Sequence, residues 1–187
     1  MLKGVSKHLF LLTFMMFMTA SVAAQAEGEI VPISVGVVDV QAVMQKSDAG
    51  KHIQKQLDKK RKEYQKQISA KEDSLRAAEK KIVSQKADLS EKEFNQKREE
   101  FEKEVVAAQK MVQKNKRSLD AGFSKGLSTL RDEIRETIST VAAERKYAMV
   151  VSKDAVIIAA KDMDLTDEVI KALDKRIKKV DLDWSVK

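Results

Sequence analysis

Lys51, Lys55, Lys59, Lys62 and Lys66 recur at intervals of three and four residues. On a helix that spacing gathers them into one stripe, an array of ammonium groups that attracts anionic partners over a range set by salt. Two readings of the stripe stay open: a solvated face that keeps the chain soluble, and a surface that captures an acidic partner. Other chemistry has little to work with. The chain has no cysteine, and its only histidines are His8 and His52. No glycine-rich phosphate loop or metal-ligand spacing occurs. The carboxylates sit beside lysines on what reads as solvated helix, where strong pKa perturbation is not expected. The chain therefore reads as a non-enzyme without a cofactor.

The lysines open a stretch, Lys51 to Lys146, that lacks proline and contains only the glycines Gly122 and Gly126. Lys, Glu, Gln and Ala dominate it, and these lose little on entering a helix. Ile68, Leu75, Ile82 and Leu89 recur every seven residues, with Leu57, Tyr64 and Ala78 at the second seam position. That is heptad spacing, the mark of a helix packed along its length. After Leu89 the phase slips to Phe94, and a second series follows: Phe94, Phe101 and Ala108, with Val105, Val112 and Leu119. Ser90 and Glu93 have the spacing of a capping box, flanked by Leu89 and Phe94 as a hydrophobic staple. The pattern predicts an antiparallel helical hairpin arm over residues 51–146 with its tip near 88–91. Leu75 would then face Val105, Ile68 Val112, Leu57 Phe123, and Ile53 Leu127. One unbroken helix with a heptad discontinuity is the competing reading.

The seam is poorly filled. Lys71, Gln85 and Asn115 stand at core positions and Arg61 and Arg98 intrude, so the arm reads as deformable rather than rigid. Gly122 and Gly126, near the root of the second helix, are hinge candidates. Close packing against Leu57 or Ile53 is the other reading of the pair.

The flanks have a different character. Lys3 and Lys7 precede the apolar run Leu9–Met18, and small residues lead to Ala24-Gln25-Ala26, the pattern of a secretory signal over 1–26 cleaved before Glu27. Even extended to Ala24, the run falls short of the roughly 20 residues that span a bilayer. Without the signal the net charge falls from +7 to +5, and Lys51–Asp120 holds 20 basic and 13 acidic residues, so the excess belongs to the arm. Ile33–Val40 reads as a strand, bringing Val35, Val37, Val38 and Val40. Gln41–Lys46 leads out of it. Ser47 or Asp48 caps the first long helix, in which Gly50 is a mild cost. Beyond the arm, Tyr147–Val151 and Ala155–Ala160 read as two further strands about a turn at Ser152-Lys153-Asp154, bringing Met149, Val151, Val156, Ile157 and Ile158. Thr166 caps a last helix with the apolar face Val169, Ile170, Leu173 and Ile177. The tail with Trp184 has no place in this scheme. A hairpin returns its ends to one point, so residues 27–50 and 147–187 form one discontinuous head. A head of that size buries little surface, and its open strand edges favour assembly with other copies.

The segments VGVVDVQAVMQKSDAGK, ADLSEKEF and YAMVVSKDAVIIAAKDMDLTDEVIKAL, behind a cleaved signal, carry a resemblance. Over nearly all of the mature chain the sequence resembles the Skp/OmpH family of periplasmic chaperones. Its specific parts are Val38-Asp39-Val40-Gln41, the tip Leu89-Ser90 and Asp164-Leu165-Thr166. The resemblance implies a mainly α fold with a small β head (α+β). The strands of three copies would join in a central barrel, from which three helical hairpins hang and enclose a cavity. It implies a periplasmic location and ATP-independent holding of unfolded outer-membrane proteins. The tail beyond Lys179 is longer than the family's usual ending.

Within that frame Lys55, Lys59, Lys62 and Lys66 would draw clients in. Tyr64, Phe94 and Phe101 would supply apolar contact if the seam opens, seam packing being the competing role for each. An anionic membrane surface or lipopolysaccharide is a further partner that the basic arm allows. Two other classes remain. A structural coiled-coil spacer or membrane-surface adaptor would want a better-filled seam. A basic nucleic-acid-binding protein fits a pI of about 9.4 but not an export signal or carboxylates interleaved with the lysines.

Overall fold

The computed structural model describes residues 34–185. The signal expected over 1–26, and Ile33 at the start of the expected first strand, lie outside them. In order come β1 (Val35–Val38), α1 (Val40–Lys46), α2 (Asp48–Ser84), α3 (Glu91–Glu144), β2 (Met149–Ser152) and α4 (Thr166–Arg176). Two short 3-10 turns, Lys153–Ala155 and Lys161–Met163, separate β2 from α4.

α2 and α3 form the hairpin arm. The chain reverses between them where the capping box predicts: Glu93 N–H donates to Ser90 Oγ at 3.3 Å, and Ser90 N–H donates to the Glu93 carboxylate at 3.0 Å. The Ser90 hydroxyl and backbone together hold the Glu93 carboxyl below its ordinary range. Ser90→Ala is expected to lower the stability of the arm by about 1 kcal/mol, the usual worth of an N-cap. Urea denaturation followed by far-UV circular dichroism would measure it.

Across the arm Tyr64 Oη donates to Ser118 Oγ at 3.0 Å, and Lys71 Nζ lies 3.0 Å from Glu104 Oε2. These links follow the mirrored pairing expected of a hairpin. One expected partner is misplaced. Val112 is 42% exposed, and the inward stripe of α3 runs instead through Met111, Asn115, Ser118 and Gly122.

The first strand is shorter than expected, and Val40 belongs to a helix. Asp39 Oδ1 accepts from Ala42 N–H at 2.8 Å, an N-cap that ends β1 at Val38 and starts α1. Ser47 then caps α2, accepting from Gly50 N–H at 3.2 Å. Gly50 is more than a mild cost. A Cβ there would lie 1.7 Å from the carbonyl oxygen of Met44, so the tight turn from α1 into α2 requires its absence. Gly50→Ala gains about 1 kcal/mol of helix propensity and is nevertheless expected to destabilise by about 3 kcal/mol net, the upper end of overpacking costs. A thermal melt of the variant tests which term dominates.

α3 ends in a Schellman turn. Lys146, in left-handed backbone at φ 56, donates its N–H to Ala143 O, and Tyr147 N–H reaches Ala142 O at 2.9 Å. The turn aims the chain into β2, which pairs in parallel with β1, Val35 opposite Met149 and Val38 opposite Ser152.

The third expected strand is absent from the single chain. Among the described residues Val156–Ala160 has no ladder partner, and Ile157 and Ile158 stand fully exposed. The reason lies at β1. One of its edges is taken by β2, and at the other Leu165 N–H donates to Val37 O at 2.8 Å, beside a bridge from Val37 to Asp164. The intervening segment therefore leaves the sheet as a loop, closed at its base by Lys153 Nζ and Asp164 Oδ2 at 2.8 Å. Lys153, then Thr166, lower the Asp164 carboxyl to about 2. Its contribution to stability is complete above the ordinary carboxylate pKa and disappears as pH falls through about 2.

Thr166 is the first residue of α4 rather than its cap. Its N–H donates to Asp164 Oδ1 at 2.9 Å, and its hydroxyl accepts from Asp39 N–H at 2.9 Å, which ties the exit of β1 to the start of α4. Val169 and Leu173 are fully buried, as their spacing predicts. The core they enter is larger than the head alone. Ile53, Leu57, Leu130 and Ile134, from the roots of the arm, share it with Val43 and Val38.

Candidate functional site

The arm presents the groups that can meet a partner. Lys51, Lys55, Lys59, Lys62 and Lys66 all lie exposed on α2. The first four line one shallow groove of about 620 Å³ with Gln45, Gln54 and Asp58, while Lys66 lies beyond it along the helix. Among the described residues none of the five forms a salt bridge, although Lys60 on the same helix pairs with Glu63 at 3.1 Å. An unpaired row of this kind keeps its field available to a ligand. Gln45 and Gln54 also border a second cavity of about 400 Å³, whose apolar lining includes Met44, Ile53, Phe123 and Leu127. Basic and apolar surface thus meet at the arm's root.

Farther out, the seam is only half closed. Tyr64, Phe94 and Phe101 are half-buried between the helices, the seam role that competes with client contact for each of them. Lys60 and Lys86 cover the Tyr64 and Phe94 rings at 4.9 and 5.7 Å from their centroids. Among the described residues Gln85 Oε1 and Asn115 Nδ2 are buried without a hydrogen-bond partner. A buried polar group without a partner costs about 1–3 kcal/mol, so both positions weaken the seam relative to an apolar side chain.

Of the expected assembly strands, Val37 and Val38 are buried in β1 and Val35 is half-buried there. Met149 is 51% exposed and Val151 half-buried in β2, while Val156 stands half-buried in the loop with Ile157 and Ile158. The expected first strand thus loses Val40 to α1, and the expected third loses Val156, Ile157 and Ile158 to the loop.

Gly122 and Gly126 lie in unbroken helix, and their missing side chains make room for a neighbour that the sequence did not indicate. A Cβ on Gly122 would meet Asp183 O at 2.8 Å and the Trp184 ring at 2.9 Å; one on Gly126 would meet Leu182 Cδ2 at 2.1 Å. Of the expected neighbours, Ile53 is in ordinary contact range of Gly126, at 3.8 Å. The C-terminal tail, left unplaced by sequence, is therefore packed along the arm's root. Gln56 holds it from α2, donating to Val180 O at 2.8 Å and accepting from Leu182 N–H at 3.2 Å. Ser118 donates to Trp184 O at 2.5 Å from α3. His52 is partly covered and lies 3.2 Å from Asp181. The available signal was the alternation Val180, Leu182, Trp184, strand-like in period but without a strand to join.

Among the described residues no group of His, Asp or Glu is placed to hold a metal ion, and no helix is long and apolar enough to cross a membrane. No functionally curated protein matches the chain significantly. A crystal structure from Caulobacter crescentus CB15, described as that of a candidate OmpH-like outer membrane chaperone, is similar at TM-score 0.77 and 23% identity, over 81% of this chain and 89% of that one. At that identity the likeness shows the fold. The model of the family described as outer membrane protein (OmpH-like) matches residues 34–173, most of the sequence. The chain belongs to the OmpH-like family.

Proposed function

We propose that the protein is an ATP-independent periplasmic holdase, exported through a cleaved signal over residues 1–26, that captures unfolded outer-membrane β-barrel proteins between helical arms and prevents their aggregation. The observation that carries this reading is the arm: two long helices, a half-closed seam with orphaned polar groups, and an unpaired row of lysines. Such an arm offers long-range attraction without demanding a sequence, and it yields to clients of different size. Lys55, Lys59, Lys62 and Lys66 act at long range. Tyr64, Phe94 and Phe101 act at short range where the seam parts, and Gly122 and Gly126 provide the hinge.

Three copies join through their heads (residues 27–50 and 147–187) in a barrel-like core, leaving the arms (51–146) to enclose a cavity. The exposed Ile157 and Ile158, in a segment with unpaired backbone, support this assembly, since an apolar edge of that kind calls for a partner strand. An anionic membrane surface or lipopolysaccharide is a second ligand for the lysine groove. Diluting an unfolded outer-membrane β-barrel protein from urea into buffer with the purified protein, without nucleotide, tests the reading. Light scattering is expected to stay low at stoichiometric protein, and scattering equal to that of the client alone refutes a holdase. Binding of DNA but not of the client would favour the nucleic-acid reading, and binding of neither would favour a spacer.

A further inference from the structure

The tail segment Val180–Ser185 is bound as a peptide ligand would be. Its burial alternates, with Val180 and Leu182 buried and Trp184 half-buried, while Asp181, Asp183 and Ser185 face solvent. Its backbone is gripped by side chains that ask nothing of its sequence: Gln56 takes the carbonyl of Val180 and the N–H of Leu182, and Ser118 takes the carbonyl of Trp184. Its side chains are selected at alternate positions, Leu182 against Gly126 and Trp184 against Gly122. On the outward side, Lys125 Nζ lies 3.3 Å from Asp183 and His52 lies 3.2 Å from Asp181.

We propose that the groove between α2 and α3 at the arm's root is a binding site for extended peptide segments with large apolar residues at alternate positions. The chain's own tail is its displaceable occupant. The proposal rests on the holdase reading for the identity of the competing ligand. A membrane β-barrel strand alternates apolar and polar residues in this way, so an unfolded client carries many segments that fit. The tail's advantage is proximity, and its polar grips are few: three part-buried hydrogen bonds to its backbone and two solvent-exposed ion pairs. A tethered occupant acts at an effective concentration of about millimolar, enough to exclude weak peptides and not a long chain offering many copies of the pattern.

Trp184 is the only tryptophan, and its emission reports whether the tail is seated. The probe is a synthetic peptide spanning residues 178–187 with Trp184→Phe. Added to the intact protein at several millimolar, above the effective concentration of the tethered tail, it is expected to red-shift the emission. A control peptide of the same composition, with its apolar residues placed side by side, is expected to leave it unchanged. A Leu182→Ser/Trp184→Ser variant should bind the fluorescein-labelled probe at least about ten-fold tighter than wild type, because the tethered competitor is gone. Adding Gly122→Leu to that variant fills the groove and should abolish binding. An emission shift with both peptides, or no shift with the probe, overturns the proposal. So does equal probe affinity for wild type and tail variant at unchanged helical content. Those negative results with client aggregation still suppressed remove the groove alone; failure to suppress aggregation removes the holdase reading and leaves the peptide result standing.

Discussion

Replacing Ile157 and Ile158 by aspartate is expected to yield a folded single chain in place of the proposed trimer. Both side chains are fully exposed in the chain by itself, and the segment carrying them lies outside the β1–β2 sheet. The substitutions therefore remove nothing from the core, and exposed changes of this kind alter stability by about 0.5 kcal/mol or less. In an assembly that covers these positions the same aspartates must be desolvated, at several kcal/mol per ion. Sedimentation equilibrium should give the mass of one chain, with helical content retained. An unchanged mass would mean that the copies meet elsewhere or not at all. Val37→Asp is the informative contrast. Val37 is 3% exposed beneath the Asp164 bridge, so a charge there should unfold the head. The small head does not bury its surface by itself: Leu57, Leu130 and Ile134 extend its core into the arm.

Reversing Lys55, Lys59, Lys62 and Lys66 to glutamate is expected to slow client capture by a factor between about 10 and 1,000, the range over which electrostatic steering acts. Lysine and glutamate have nearly equal helix propensity, and among the described residues none of the four pairs with a carboxylate, so the arm itself should stay folded. The variant's rate should also respond differently to salt. Wild-type capture should fall as the Debye length contracts from about 10 Å at 0.1 M to about 3 Å at 1 M. The variant should start low and fall no further. Stopped-flow measurement at the two salt concentrations gives all four rates. If the variant matches wild type at both, the lysines are a solvated face and capture rests on apolar contact.

What was legible in the sequence was local. The Ser90–Glu93 box, the helix pattern of the arm, and the buried face of α4 depend on residues within a few positions of one another, and each formed as its chemistry requires. Asp39 could have been read in the same way, as an N-cap before Val40, but a run of β-branched residues concealed it. The other departures came from distant partners. Val156–Ala160 has strand composition, yet β1 has no free edge for it within the chain. Gly50 looked like a weak helix residue until Met44 was seen to approach it. The Gly122–Gly126 pair was recognisable as unusual, but the neighbour that explains it lies about sixty residues away. The lysine stripe was visible in full because it belongs to one helix; the groove at the root was not, because its walls and its occupant come from three parts of the chain.

The parallel pairing of β1 and β2 has a kinetic consequence. Val35 and Met149 are neighbours in the sheet with the whole arm between them. Closing that contact by diffusion of an open chain carries the loop-entropy cost of a segment more than a hundred residues long. The arm removes most of it. Once the Ser90 turn forms, each successive pairing of α2 with α3 closes a loop only slightly longer than the last, and the zipper delivers both strands to the same point. Refolding speed is thus tied to the tip, far from the sheet it assembles. A chain that enters a compartment amino end first must hold β1 unpaired until Met149 has followed it through.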